Sequence, residues 1–110
     1  MTKGNMVIEI WFAEEASIDE HLETNVVLPD GTTKENYKIL LPNKVGKEKE
    51  RIWNYENQQG PPGLHQFVLV ILGQNGEQKV MNDDARIEDY LDDLTVGTIK
   101  FMLPSDVGGQ

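Results

Sequence analysis

Residues 67–72, FVLVIL, form an apolar run with no polar alternation, set between two breaks, GPPG at 60–63 and GQNG at 73–76. Six residues are too few for a buried helix and suit a strand, and a strand with no wet face has to be covered on both sides. The chain therefore has to build a sheet around this segment. At 110 residues it is long enough for one domain, and a chain of that size buries about two-thirds of its surface without metal or disulfide staples. No residue is a cysteine, which rules out disulfides, thiolate zinc sites and a cysteine nucleophile within the chain.

The other segments supply the partners for that strand. Residues 6–12, MVIEIWF, and 22–28, LETNVVL, read as strands, and PDGT at 29–32 reads as a turn in which Pro sets φ, Asp caps and Gly takes a positive φ. Residues 33–41 allow two readings. Tyr37, Leu40 and Leu41 fall at helical spacing after a Thr cap, yet the segment also reads as a strand that leaves 43–58 as the only helix. Pro42 stops or kinks the first of these. If 43–58 is helical, Val45, Lys49, Ile52, Trp53 and Glu56 share a face, Ile52 and Trp53 anchor the core, and the Lys/Glu mixture forms a solvated face. Residues 73–77 read as a hairpin turn into a strand at 78–81. Residues 82–91 read as a one-turn helix capped by Asn82 or Asp83, with Ile87, Tyr90 and Leu91 inward. In the last strand, 98–103, Ile99, Phe101 and Leu103 face one way and Lys100 and Met102 the other. The order β-β-α-β-β-short helix-β gives an α+β domain at residues 1–104, a mixed sheet of four to five strands on one main helix, followed by a tail at 105–110. The first and last strands can lie parallel and adjacent only if the intervening helix carries the crossover.

The formal charge of −9 repels phosphate backbones and anionic membranes, so neither nucleic acid nor membrane is an expected partner, and a basic protein face is the natural one. The start shows no signal-peptide core and no apolar run reaches the length of a membrane span, which makes the cytoplasm the expected compartment. The acids at 83, 84, 88, 89, 92 and 93 lack the spacing of a calcium loop and read as a solvated face. His21 and His65 do not stand at ligand spacing, Ser17 and Ser105 lack a nucleophile-elbow context, and GPPG lacks the lysine and helix start of a phosphate cradle. No enzyme signature emerges, and no metal or cofactor is expected.

The element order, together with NGEQKVMNDDARIEDY and the ending GTIKFMLPSDVGG, resembles the β-grasp, or ubiquitin-like, superfamily. There a short helical turn ends in Asp-Tyr, here Asp89-Tyr90, and the Tyr hydroxyl ties back to a nearby backbone group. VIEIWFAEEA and ETNVVLPDGTT look like the opening strands of the molybdopterin-synthase small subunit. PPGLHQFVLVI is similar to the ubiquitin-related modifier, and the ending has the flavour of bacterial multi-ubiquitin-like proteins. This resemblance implies a modifier or sulfur carrier activated at a C-terminal glycine of the pair Gly108-Gly109 by an E1-like enzyme. It departs from the pattern in two places: Gln110 follows the pair, so activation requires its removal by a processing protease, and the middle segment with Pro42 is longer than in the short carriers. Glycines suit such a tail because a backbone without Cβ threads a narrow adenylation site. The alternative reading is a non-conjugated β-grasp adaptor or assembly subunit. It would bind a basic partner through Val70 and Met102 beside Asp89, Asp92 and Asp93, its glycines forming an ordinary frayed end.

Overall fold

The computed structural model describes residues 20–108. The chain runs β1 (His21–Val27), β2 (Thr33–Leu40), α1 (Val45–Tyr55), a 3-10 turn, β3 (Val68–Leu72), β4 (Gln78–Val80), a second 3-10 turn (Ile87–Tyr90) leading into α2 (Leu91–Leu94), then β5 (Thr98–Met102) and a last 3-10 turn (Pro104–Asp106). The five strands make one mixed sheet in the order β2-β1-β5-β3-β4. β1 and β5 are parallel, through Val26 with Ile99 and Val27 with Lys100, and every other pairing is antiparallel. The described residues also run strand, strand, helix, strand, strand, short helix, strand, but with other segments: the first two strands are 21–27 and 33–40, where 6–12 and 22–28 were expected. The strand expected at 6–12, with its pairing to the closing strand, lies outside the described residues.

Residues 33–40 form a strand, which settles the open choice between helix and strand. Eight residues offered to β1 find a full antiparallel partner, and Tyr37 and Ile39, two apart, turn inward at strand spacing, so the helical stripe Tyr37, Leu40, Leu41 is not used. The turn before it behaves as the sequence implies. Gly31 sits at φ 91°, the Asp30 carboxylate accepts the Thr32 amide at 2.9 Å, and that bond holds the Asp30 carboxyl below its ordinary range. The register shifts between Thr24 and Val26, where Asn36 on the facing strand takes φ 56° and donates its amide to the Asn25 side chain, a left-handed conformation that Asn tolerates.

Helix α1 starts after Pro42 and has no side-chain cap. Its first amides are met instead by backbone carbonyls of the 82–86 loop, Val45 N–H to Ala85 O at 2.8 Å and Gly46 N–H to Asp83 O at 2.9 Å, which fills the role of a cap with tertiary structure. Ile52 and Trp53 anchor the core as expected. They pack with Val26, Ile39, Leu69, Ile71, Ile99 and Phe101, so α1 covers one face of the sheet. The Trp53, Phe67 and Phe101 rings meet at centroid separations of 5.8 to 6.5 Å, within the range of favourable tilted pairs.

The expected solvated Lys/Glu face of α1 is corrected at two residues. Glu48 is wholly buried and Lys49 is 4 % exposed. The Glu48 carboxylate receives the Leu40 amide, the Asn43 side-chain amide and the Arg51 guanidinium, tying α1 to the end of β2. Burial opposes the Arg51 charge, but Glu48 outweighs it and the Arg51 pKa is raised. The Lys49 ammonium donates to Phe67 O at 3.0 Å and to Asp83 at 2.8 Å, tying α1 to the loops on either side of β3–β4. A short spacing pattern cannot distinguish these from surface charges, because the partners that Lys49 meets, Phe67 and Asp83, lie 18 and 34 residues away and Glu48 reaches back 8 residues to the Leu40 amide.

Leu69, Val70 and Ile71 are buried and β3 lies between β5 and β4, as the apolar run requires. The one-turn helix is displaced from its expected start. Asn82 closes a turn on the Asp84 amide, the helical residues begin at Ile87, and Leu94 takes the inward place expected of Leu91, which is 38 % exposed. The Tyr90 hydroxyl accepts the Asn82 amide at 2.9 Å, the tie-back expected from the resemblance.

The Tyr37 hydroxyl is buried and, among the described residues, no partner meets it at hydrogen-bond geometry, although the Glu56 carboxylate lies close enough to affect it. Burial, with the nearby Glu56 charge, pushes its pKa from an ordinary 10 up to about 12. Removing an unpaired buried hydroxyl is neutral or stabilising, so Tyr37→Phe gains up to about 1 kcal/mol at pH 7 by thermal unfolding. The folded protein holds this proton more tightly than the unfolded chain does, so stability falls as pH rises from 10 toward 12. The Tyr37→Phe protein should lose less stability across that window.

Candidate functional site: the tail and the outer sheet face

Directly opposed residues in a sheet share a face. On the face away from α1 this puts Val68 opposite Met102, Val70 opposite both Lys100 and Val80, and Leu72 opposite both Thr98 and Gln78. This outer face therefore carries an apolar row, Val68, Val70, Met102 and Val80, with Lys100 beside Val70 on β5.

The exposure expected of Val70 and Met102 is corrected. Val70 is 0 % and Met102 8 % exposed, whereas Val80, nearer the β4 edge, is 46 % exposed. The acids expected beside them lie elsewhere. Asp93 pairs with Lys79 at 3.1 Å, and Lys79 opposes Ile71, a core residue, so that pair belongs to the helix side. The Asp89 carboxylate accepts the Arg86 amide at 3.0 Å and holds the turn before α2. The Asp92 carbonyl accepts the Thr95 hydroxyl. The structure thus brings Val70 and Met102 together and separates both from Asp89, Asp92 and Asp93.

The tail is set by the end of β5. Pro104 opens a 3-10 turn closed by Asp106 N–H to Leu103 O at 2.8 Å and Val107 N–H to Pro104 O at 3.2 Å. Pro suits this place because it has no amide to satisfy and its φ is preset. Val107 is half-buried. Gly108 takes φ 101°, a conformation open to glycine and rarely to other residues, and its amide donates to the Gln78 side-chain oxygen at 2.6 Å. Gly109 and Gln110 lie outside the described residues.

Beneath the turn, a cleft of about 730 Å³ is lined by Val27, Pro29, Lys100, Met102 and Asp106 among others. Sequence reasoning did not find Gln78. Its signal is only that it begins a short strand whose alternate residues face outward. Among the described residues no cluster of three or more His, Asp or Glu side chains could hold a metal, and no helix is long and apolar enough to cross a membrane. No protein-family model matches this chain, and no curated protein matches it.

Proposed function

We propose that this is a β-grasp domain of ubiquitin-like type, acting as a protein modifier or sulfur carrier through a carboxylate at Gly109. The observation that carries the reading is the sheet order β2-β1-β5-β3-β4, with β1 and β5 parallel and one main helix across a single face, from which β5 leads within six residues to Gly108. The Asp89-Tyr90 turn, with its hydroxyl bonded to the Asn82 amide, supports it.

The chemistry belongs to the carboxylate and a partner enzyme. Cleavage behind Gly109 frees the acid. Its oxygen attacks the α-phosphorus of ATP, pyrophosphate leaves, and a partner thiol or sulfide then displaces AMP to give a thioester or thiocarboxylate. Beyond that carboxylate the chain contributes no cysteine nucleophile, since it has no cysteine. Its folded domain presents the tail, and its acidic surface suits a basic face on the activating enzyme.

The test is intact mass on tagged protein incubated with ATP in a lysate of the cells it comes from. The expected result is loss of Gln110 and an adenylate, thioester, thiocarboxylate or isopeptide adduct that Gly109→Ala does not form. An unprocessed, unmodified mass throughout would overturn the reading. It would leave the second one, a non-conjugated β-grasp binding module, which the bond between Gly108 and Gln78 favours because it turns the tail inward.

A further inference from the structure

We propose that the tail is a self-closing latch: residues 104–108 fold back over the outer sheet face, held by the Gly108–Gln78 bond, and mask the Val70–Met102 row until a partner lifts them. The route follows from the pairing. β5 ends at Met102, opposite Val68, whereas Gln78 stands opposite Leu72, four residues farther along β3. That is about 13 Å back toward the start of the last strand. β3 lies between β5 and β4, and the Gln78 side chain faces outward with Leu72, Val70 and Val80. To donate its amide to that side chain, Gly108 has to return over the outer side of the sheet. The turn at Pro104–Asp106 reverses the chain in the sense required, and Asp106 lines the same cleft as Lys100 and Met102. Val107 is half-buried between these two anchors. Val70, beneath the route, has no exposed surface, although no described helix or strand covers that face.

The latch has two consequences. The tail cannot enter an enzyme's narrow site while Gly108 is bonded to Gln78, and a protein that binds the apolar row has to displace the tail first. Capture of the tail and exposure of the row are then one event. The first consequence rests on the modifier reading, but the latch itself does not.

The test uses the full chain, the Gln78→Leu chain, and a chain ending at Pro104, by amide exchange and methyl NMR. In the full chain the Gly108 amide exchanges about tenfold more slowly than an unprotected glycine, the size expected of one net hydrogen bond, and Gln78→Leu removes the protection. Truncation shifts the Val70 and Met102 methyls and leaves Ile39 and Val45, on the helix side, unmoved. Carboxypeptidase trims past Gly108 severalfold faster in Gln78→Leu than in the parent. An unprotected Gly108 amide, or Val70 and Met102 methyls indifferent to truncation, would overturn the latch. A latched chain that never forms an adduct would sink the modifier reading alone.

Discussion

Replacing Lys49 with alanine destabilises the domain by about 3 kcal/mol in urea unfolding, most of its effect coming from groups left behind rather than from the pair itself. The Lys49 ammonium is almost fully buried and is shared between the Phe67 carbonyl and Asp83. Its removal leaves the carbonyl without that donor in the core and takes away the link that seats α1 on the 82–86 loop. That loop also supplies the carbonyls that cap α1, so the loss spreads to the helix start. Lys49→Met restores the packed stem without the donor and should recover part of the loss. Lys79→Ala is the control. Its pair with Asp93 is about half exposed on both sides, and such pairs contribute less than about 1 kcal/mol. Equal effects at Lys49 and Lys79 would contradict the buried bridging role.

Trp53→Ala costs about 3–5 kcal/mol, the range for removing a large aromatic from a packed core. Trp53 is 8 % exposed and contacts both Phe67, ahead of β3, and Phe101, on β5. It is the side chain through which α1 grips the centre of the sheet. Trp53→Phe keeps an aromatic partner for both rings and should lose markedly less. Circular dichroism against temperature gives both values, and a loss below about 1 kcal/mol for Trp53→Ala would mean that α1 is not packed as described.

Features with a local cause were legible in the sequence. The 67–72 run had to be a covered strand, Gly31 had to take a positive φ in its turn, and Ile52 and Trp53 followed helical spacing into the core; the Tyr90 tie-back came from the resemblance rather than from a local cause. Features that depend on distant partners were not. Residues 33–41 carry both periodicities, and only the availability of β1 as a partner selects the strand. Glu48 and Lys49 look like surface charges until the ends of β2 and β3 are brought beside them. Val70 and Met102 read as an exposed patch, yet both are buried, and nothing in PSDVGGQ announces that Gly108 meets Gln78. The acids at 89, 92 and 93 are near one another in sequence, but they sit in the turn and short helix 87–94, where Asp93 pairs with Lys79 on the helix side of the sheet and Asp89 holds the Arg86 amide.

The functional reading depends on β1 and β5 lying side by side in the same direction, because only that arrangement joins the first hairpin to the tail-bearing strand in a β-grasp. Through-space NMR contacts on the full chain test it directly. The account predicts parallel-pattern backbone contacts linking Val26 with Ile99 and Val27 with Lys100, and antiparallel contacts linking Leu69 with Phe101. Antiparallel contacts between the first pair of strands, or none, would contradict it.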